Sequence, residues 1–317
     1  MPGFNPAHAT VFRPGRLTLG LMTPLDAAAG TLAPVDAALK LARHAEAQGF
    51  AALWTRDVPL MIPQGLPAEG IPVQAAALDD PFVWLTLLAT ATQRIALGTA
   101  AIVLPLRHPL HVAKAALSVD RISGGRLLLG LGSGDRPEES TAFGAELDQR
   151  AEVFRRHWPA LRAALAPAVD PLRASHLEAV GHPVLPPPDH RIPMLVVGSA
   201  RQSLQWIAQH ADGWATYHRD TGQQQGRIGL WQQAQHQRLG SVQLPFVQSA
   251  QLDLLEDDHA PAVPLPLGLR GGSRAVLAYL QQLHMMGAGH VILNLSGPRP
   301  AMDVLTQLGR SVIDPLR

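Results

Sequence analysis

The segment RLLLGLGSGD, residues 126–135, combines an apolar run with three closely spaced glycines and a carboxylate. Glycines at the end of a strand allow a backbone to approach a ligand closely. The spacing does not match the dinucleotide motif G-x-G-x-x-G, because Asp135 stands where the third glycine would be. It does not match the hydrolase motif G-x-S-x-G either, because Gly132 directly precedes Ser133. The segment therefore indicates a close backbone approach without identifying the ligand.

A second segment, VVGSARQSLQW over residues 196–206, has the residue types of a phosphate-binding turn. Gly198 and Ser199 stand at a predicted strand-to-helix junction, where unpaired backbone N–H groups point outward and attract anions. Arg201 adds a positive charge, and Ser203 adds a hydroxyl in the first helical turn. An ordinary serine-capped helix would use the same residue types, so the local pattern leaves both interpretations open.

Other reactive side chains are poorly placed for catalysis. The only two lysines, Lys40 and Lys114, fall inside predicted helices, which disfavours a Schiff-base aldolase. His108 and His111 lack a carboxylate partner at the spacing of a zinc site. The sequence therefore predicts no metal centre.

The composition describes a globular chain without a strongly charged surface. It has 317 residues, of which 47% are hydrophobic and 16% charged, and a formal net charge of +1. This balance gives no electrostatic signature of a nucleic-acid or anionic-membrane partner. Without cysteines, a disulfide framework, a thiolate nucleophile and a zinc–thiolate site are all excluded. The first residues lack a signal-peptide pattern and no apolar run is long enough to span a bilayer, so we expect a soluble cytoplasmic protein.

Short apolar runs alternate with longer amphipathic stretches along the chain. The runs cover residues 16–22, 50–54, 94–104, 126–132, 193–199, 213–217, 244–252 and 290–296. Helices are predicted over residues 34–48, 81–91, 109–123, 147–165, 201–211, 273–286 (capped by Ser273) and 300–313, with a glutamine-rich helix after the sixth run. Continuous apolar strands indicate a parallel sheet buried on both faces. The eight strand–helix repeats predict an α/β fold, a TIM (β/α)8 barrel, and an open doubly wound sheet is the alternative.

The predicted barrel accounts for residues 1–317 as a single domain. Two connections are long for a compact barrel: a proline-rich excursion over residues 167–191 and a loop over residues 254–272. The second loop follows the carboxyl end of a predicted strand, where barrel active sites lie, so it is a candidate lid. The first connection is equally consistent with a disordered surface segment.

Residues at the carboxyl ends of the predicted strands are candidates for contact with a substrate. Arg56 and Asp57 are the two catalytic candidates, and an ion pair between them is the alternative. Tyr217 is a further polar candidate. Met22 and Trp54 would form an apolar wall, and Trp54 is equally consistent with a core position.

Two longer stretches resemble the bacterial luciferase-like flavin monooxygenases. The first is IALGTAAIVLPLRHPLHVAKAALSVDRISGGRLLLGLGSGD, residues 95–135, and the second is VVGSARQSLQWIAQHADGWATY, residues 196–217. The resemblance extends over most of the chain, from LTLGLMTP to HVILNLSGP. It implies a TIM barrel that binds a flavin, with the flavin phosphate at the helix after the fifth strand.

The resemblance also implies roles for individual residues at the phosphate. Gly198, Ser199, Ala200 and Ser203 match the positions that hold the flavin phosphate in this family. Arg150, at the start of the helix after the fourth strand, matches an arginine that pairs with that phosphate. The glycine-containing turn would then be a phosphate site and not only a helix cap.

Four further positions match the family at the flavin ring. Gly132 and Ser133 match positions against the isoalloxazine ring, and Ala100 and Ala101 match a non-proline cis peptide beneath it. The resemblance thus implies that the glycines of residues 126–135 make room for a flat ring.

The chain departs from the luciferase pattern after the second predicted strand. A bacterial luciferase has a histidine in this loop that assists the oxygen chemistry. In the segment LWTRDVP of this chain, Asp57 and Val58 stand where an acidic residue and that histidine would be. We therefore expect a member of the uncharacterised oxidoreductase branch and not a light-emitting luciferase.

The resemblance implies a flavin-dependent oxidoreductase, namely an FMN-using monooxygenase that acts on a small organic substrate. A separate flavin reductase would supply the reduced flavin, and relatives often form homodimers through the helices next to strands two and three. A deazaflavin-dependent hydride-transfer enzyme and a non-catalytic flavin-binding protein are the alternatives. A sugar-phosphate isomerase barrel would need a glutamate base at a strand end, and none is placed there.

Overall fold

The TIM barrel expected from the sequence is confirmed in the computed structural model, which describes residues 3–25, 31–62 and 77–316. Its strands are β1 (Thr18–Met22), β2 (Ala52–Thr55), β3 (Ala96–Thr99), β4 (Ile102–Val103), β5 (Leu127–Gly132), β6 (Met194–Val197), β7 (Trp214–Tyr217), β8 (Phe246–Leu254), β9 (Val263–Leu265), β10 (Gly268–Gly271) and β11 (His290–Leu295). Parallel pairing runs through β1, β2, β3, β5, β6, β7, β8 and β11. Because β11 pairs with both β8 and β1, the ring closes and the open-sheet alternative is wrong.

Helices surround the barrel largely where the amphipathic stretches predict them. They are α1 (Pro6–Val11), α2 (Val35–Gln48), α3 (Pro81–Ala91), α4 (Pro109–Ser123), α5 (Pro137–Ala142), α6 (Arg150–Ala164), α7 (Pro171–Val180), α8 (Leu204–His210), α9 (Thr221–Leu239), α10 (Ser273–Met286), α11 (Ala301–Leu308) and α12 (Asp314–Leu316). The α2 helix ends as expected at Gly49, whose φ of 90° suits glycine. Among the helices of the described ranges, none is both long and apolar enough to cross a bilayer.

The core has two layers. A large cluster lies between the strands and the outer helices. A smaller cluster fills the barrel interior and includes Trp54, Leu128, Leu195, Val247 and Ile292. The α1 helix, which the sequence pattern did not reveal, adds Ala7 and Val11 to this interior cluster. Asn5, its N-cap, donates hydrogen bonds to Asp120 Oδ1 at 2.9 Å and to the Leu127 carbonyl oxygen at 2.7 Å, which fixes α1 to the barrel.

The third apolar run is not one strand. It divides into β3 and β4, which are separated by a cis peptide bond between Ala100 and Ala101. The Ala100 N–H donates to the Thr55 carbonyl oxygen at 2.8 Å, so the break is held against the end of β2. Such a bond was implied by the family resemblance, and it could not be derived from hydrophobic periodicity.

Both long connections are ordered. The excursion over residues 167–191 contains α7, whose buried Arg173 donates to the carbonyl oxygens of Ala164 and Leu185, each at 3.0 Å. In the loop over residues 254–272, β9 and β10 form an antiparallel pair, and β10 also pairs with the carboxyl half of β8. These strands extend the barrel wall beside β8. The interpretation of this loop as a lid stays a prediction.

The sequence predicted Ser273 as the cap of α10, and this prediction is wrong. Ser273 is the first residue of that helix, and Gly272 is the N-cap. The Ser273 hydroxyl instead donates to Asp258 Oδ1 at 2.5 Å. The side chain of Gln307 donates to the same carboxylate oxygen at 2.7 Å. Asp258 therefore ties the loop over residues 254–272 to α10 and α11.

A buried histidine lies in the barrel beside Trp54. His290 Nε2 accepts a hydrogen bond from the Trp54 indole N–H at 3.0 Å, and its Nδ1 lies 2.7 Å from the Thr18 hydroxyl. Gly20 makes room for this pair, since a Cβ built there would lie 2.7 Å from both side chains. Burial lowers the pKa of His290 to about 3, although the Thr18 hydrogen bond opposes this shift. The ring is therefore neutral in the folded protein at neutral pH.

We expect His290 to make the folded state less stable in acid. Between its ordinary pKa of 6.5 and its folded-state pKa of about 3, the unfolded chain binds a proton that the folded chain excludes. The contribution of His290 should therefore lower the free energy of unfolding by about 1.4 kcal/mol per pH unit as the pH drops below about 6.5. Urea unfolding of the wild type and of His290→Gln across this range should give a shallower slope in the variant. Equal slopes would contradict this account of His290.

Candidate functional site

A cavity of about 340 Å³ opens at the carboxyl ends of β2, β5, β6 and β7. Its volume is in the range of small-molecule sites, about 300–1,000 Å³. The residues that line it are Arg56, Asp57, Val58, Ala100, Ala101, Val103, Gly132, Ser133, Gly134, Asp135, Arg136, Arg150, Val197, Gly198, Ser199, Ala200, Arg201 and Tyr217. The structure thus brings together, around one cavity, residues from both glycine-containing segments singled out in the sequence.

One wall of the cavity is bare backbone at the end of β5. A Cβ built on Gly132 would lie 3.3 Å from the Ala101 Cβ and 3.7 Å from the Val197 carbonyl oxygen. The cis peptide between Ala100 and Ala101 lies directly beside Gly132, because β4 and β5 are paired neighbouring strands. The two segments therefore form one continuous backbone wall, and the space in front of this wall is called the slot. Thr99 ties the segments together by accepting from the Gly130 N–H at 2.9 Å and donating to the Gly130 carbonyl oxygen at 2.8 Å. A flat ligand could lie against this wall.

The other end of the cavity is a turn over residues 198–201. Gly198, Ala200 and Arg201 have φ angles of 69°, 44° and 55°, all in the left-handed region. For the two non-glycine residues this conformation costs free energy of the order of 1 kcal/mol or more each, and such residues concentrate at ligand sites. Turns of this kind direct successive backbone N–H groups toward an anion. The Trp214 indole N–H donates to the Gly198 carbonyl oxygen at 2.6 Å and holds the turn in place.

Ser203 caps a helix in this structure, and its contact with a phosphate stays a prediction of the family resemblance. Its hydroxyl accepts from the Trp206 N–H at 3.2 Å and caps α8, and its side chain is not among those lining the cavity. The α8 helix begins at Leu204, three residues later than predicted. The left-handed turn takes up the intervening residues, so the serine cap and the turn are separate features.

Two arginines lie at this end of the cavity. Arg201 is exposed on the turn. Arg150 begins α6 and donates from Nη1 to the Leu147 carbonyl oxygen at 2.5 Å. Gln202 connects α6 to the turn, because its amide donates to the carbonyl oxygens of Ala151 and Ala200 at 2.9 and 3.0 Å. The turn and the two guanidinium groups therefore form one arrangement that can bind a phosphate.

Asp57 does not pair with Arg56, and that part of the sequence interpretation is wrong. Its carboxylate accepts from Arg107 Nε at 2.9 Å, from Arg107 Nη2 at 2.8 Å and from the Val103 N–H at 3.1 Å. Burial of Arg107 disfavours its charge, but the hydrogen bonds and charge of Asp57, together with Asp80, raise the pKa of the Arg107 guanidinium above its ordinary value. Asp57 is thus a positioning residue that ties the loop after β2 to β4.

Replacing Asp57 by asparagine should destabilise this loop. The Asp57 side chain is 1% exposed and the Arg107 side chain 28% exposed, so Arg107 can partly rehydrate when its partner loses charge. We therefore expect a loss of about 2 kcal/mol in the free energy of unfolding, below the range for fully buried pairs. Urea unfolding measures it, with exposed Asp189→Asn as the control variant. A loss in Asp57→Asn no larger than in the control would show that the pair does not support the fold.

Arg56 is the second catalytic candidate, and its surroundings differ from those of Asp57. It is half-buried against the cavity, and its buried Nε has no hydrogen-bond partner among the residues that the structure describes. Burial lowers the pKa of Arg56, Tyr217 opposes this effect, and Arg136 adds to it. Arg136 itself donates from Nη1 to Glu139 Oε1 at 2.9 Å. The pKa of Glu139 is raised by its burial, in spite of this contact.

Of the three residues predicted to contact a substrate, only one lines the cavity. Tyr217 lines the cavity and is 56% exposed. Trp54 and Met22 are instead buried in the barrel interior, and neither lines the cavity. Trp54 fills the space left by Gly98, where a built Cβ would lie 2.3 Å from the indole. The core interpretation of Trp54 is therefore correct, and the substrate role proposed for Met22 and Trp54 is wrong.

Some site residues were not found from the sequence. Arg107 lies beyond the third strand, and nothing in its local pattern indicates the distant carboxylate of Asp57. Arg136 and Glu139 do carry a signal, because they are three residues apart at the start of a short helix, where opposite charges pair. Val58, which replaces the luciferase histidine, is buried at the cavity wall, so the wall is apolar at this position.

Comparison with known proteins agrees with this geometry. Residues 15–260 match the family described as luciferase-like monooxygenase. An uncharacterised protein of Mycobacterium tuberculosis strain H37Rv is 30% identical over 196 residues, which cover 56% of this chain and 67% of the relative. The alkanal monooxygenase alpha chain of Photorhabdus luminescens is 25% identical over 174 residues, which cover 54% of this chain and 45% of the relative.

Solved structures share the fold. A monooxygenase from Streptomyces bottropensis has a TM-score of 0.73 at 19% identity, covering 95% of this chain and 100% of that chain. A coenzyme F420-dependent tetrahydromethanopterin reductase from Methanopyrus kandleri has a TM-score of 0.70 at 15% identity, with the same two coverages. At these identities the likeness shows the fold alone. Because the family match spans most of the sequence and the cavity lies where a barrel places its active site, the chain belongs to the luciferase-like monooxygenase family of oxidoreductases.

Proposed function

We propose that this protein is an FMN-using monooxygenase that acts on a small organic substrate and receives reduced flavin from a separate reductase. The observation that carries the proposal is the single cavity that joins a backbone-walled slot to a cationic turn. These two parts match the two ends of FMN, a flat ring and a phosphate.

Four residues would bind the phosphate. Ser199 and Ala200 would supply backbone N–H groups, and Arg150 and Arg201 would supply charge. The N–H groups of Gly198 and Arg201 instead donate to the Ala215 carbonyl oxygen and the Ser199 hydroxyl. One face of the isoalloxazine ring would lie against the wall formed by Gly132, Ser133 and the Ala100–Ala101 peptide. No large side chain projects from Gly132 to obstruct this slot.

Bound FMN, once reduced, supplies the electrons that activate molecular oxygen. The chain's own residues orient the ring and limit water at its edge. Val58, Val103 and Val197 form apolar parts of the cavity wall. An apolar wall of this kind protects reactive chemistry from solvent. Arg56 and Tyr217 are the polar side chains left to face a substrate.

A deazaflavin-dependent hydride-transfer enzyme is the second candidate. It is supported by the likeness to the F420-dependent hydroxymycolic acid dehydrogenase of Mycobacterium tuberculosis, which is 29% identical over 192 residues. The slot would accept either ring, because its walls are backbone and alanine side chains. We favour FMN because the family that matches residues 15–260 is described as luciferase-like monooxygenase.

We also propose that the protein forms a homodimer through α3 and α4. The α3 sequence, PFVWLTLLATA, is apolar on most of its surface, and Val83 is exposed on its outer side. Ile122 is likewise exposed near the end of α4. A second copy of the chain would cover these side chains, and sedimentation analysis of the purified protein measures the mass.

Oxygen consumption tests the monooxygenase proposal. The protein is combined with FMN, a flavin reductase and a reductant, and oxygen uptake is followed with and without a panel of small organic compounds. The proposal expects a compound that is converted to a product containing one added oxygen atom from labelled O₂. Substrate oxidation that proceeds without oxygen and requires F420 would assign hydride transfer instead. Tight flavin binding without turnover of any compound would favour the non-catalytic alternative.

A further inference from the structure

Arg56 has a feature that flavin binding at the slot and turn does not use. Its side chain is half-buried, and within the described residues its buried Nε atom has no hydrogen-bond partner. A buried donor without a partner is destabilising, so proteins seldom retain one without a partner or a ligand. Such a group at the wall of an active-site cavity indicates that something outside the protein completes it.

The neighbouring carboxylates are already engaged. Asp57 is held by both nitrogens of Arg107, and Glu139 is held by Arg136. Asp135 also lines the cavity, but it is exposed and forms no ion pair with Arg56 within the described residues. The carboxylates that the described chain places around Arg56 therefore do not neutralise it.

Three side chains converge on this part of the mouth from different strands. Arg56 follows β2, Arg136 follows β5, and Tyr217 ends β7. In the ring of strands, β2 and β7 lie on opposite sides. Arg56, Arg136 and Tyr217 nevertheless line the same cavity, so the barrel brings all three to one mouth.

We propose that Arg56 and Arg136, with the Tyr217 hydroxyl, bind a carboxylate of the substrate, so that the substrate is a small organic acid. This inference rests on the proposed flavin-dependent reaction, which places the acid beside the ring. A guanidinium matches a carboxylate through two parallel N–H···O bonds, and a tyrosine hydroxyl can donate a third. An anion at this position would also offset the repulsion between the two guanidinium groups.

Ligand binding to the flavin-loaded protein tests this inference. Hexanoate and its neutral analogue hexanamide are titrated by calorimetry into the wild type, Arg56→Met and Arg56→Lys. We expect the wild type to prefer hexanoate, and Arg56→Met to bind hexanoate about 10- to 100-fold more weakly with hexanamide little affected. Arg56→Lys should recover part of the loss, because it keeps the charge without the planar fork. Arg13→Met, at an exposed arginine that lies outside the cavity, is the matched control and should behave as wild type.

The outcomes separate this inference from the proposed function. If Arg56→Met loses affinity for FMN instead of hexanoate, Arg56 belongs to the cofactor site and the inference is wrong, although the function stands. Equal affinities of the wild type for hexanoate and hexanamide would also overturn it. If FMN and F420 fail to bind in every variant, the proposed function fails. The same titrations on flavin-free protein then still decide whether hexanoate binding depends on Arg56.

Discussion

Replacing Gly132 by valine should weaken FMN binding by about 100-fold, because overfilling a packed site costs about 1–3 kcal/mol. A Cβ at this position already lies 3.3 Å from the Ala101 Cβ, which is a tight contact. The two methyl groups of valine would extend beyond it, in front of the wall formed by Gly132 and the Ala100–Ala101 peptide, where the ring would lie. Gly132→Ala should give a smaller loss, since only the Cβ is added.

The measurement is an FMN titration followed by quenching of flavin fluorescence. Gly226→Val is the matched control, because Gly226 is an exposed residue of α9 with no heavy atom within 4 Å of a built Cβ. Circular dichroism and thermal unfolding show whether Gly132→Val is folded. A folded Gly132→Val protein that binds FMN with wild-type affinity would show that the ring does not lie in this slot.

Replacing Arg150 by methionine should weaken FMN binding by about 10- to 100-fold, because a charge-assisted hydrogen bond contributes about 1.5–3 kcal/mol. Methionine keeps the length and apolar stem of the side chain and removes only the guanidinium. Riboflavin, which has the same ring and no phosphate, provides the discriminating comparison. Arg150→Met should bind riboflavin as the wild type does, so the variant loses the preference for FMN.

Arg156→Met is the control for this prediction, because Arg156 is exposed on the same helix and does not line the cavity. Ser203→Ala should reduce the free energy of unfolding by about 1 kcal/mol, since the Ser203 hydroxyl caps α8. Equal losses of FMN and riboflavin affinity in Arg150→Met would contradict a phosphate contact at this arginine.

The barrel could be predicted from the sequence because its elements follow local patterns. Each strand is a continuous apolar run, and helices such as α2 and α3 have signals at their ends, namely Gly49 and Asp80. The break after Thr99 could not be derived in this way, because apolar periodicity does not record a peptide isomer. The helix α1 was missed as well, since its six residues are held by distant contacts from Asn5 and not by a strong amphipathic pattern.

The candidate site was accessible from the sequence only in part. The glycine at 132 and the turn at 198–201 have local signatures, and both line the cavity. Partnerships between distant residues have none: the sequence places Asp57 beside Arg56, whereas the fold brings Arg107 to it from 50 positions away. The position of Trp54 was ambiguous for a related reason, because a tryptophan near a strand end can lie in a cavity wall or in the core. Gly20 and Gly98 leave space for its indole in the core, and this space exists only once the neighbouring strands are paired.

The measurement that tests the central claim most directly is a titration of the purified, flavin-free protein with FMN, riboflavin and F420. The account predicts saturable FMN binding, weaker binding of riboflavin because it lacks the phosphate, and weaker binding of F420. Preferred binding of F420 would contradict the FMN assignment and favour hydride transfer. Binding of none of the three would contradict the interpretation of the slot and the turn as a flavin site.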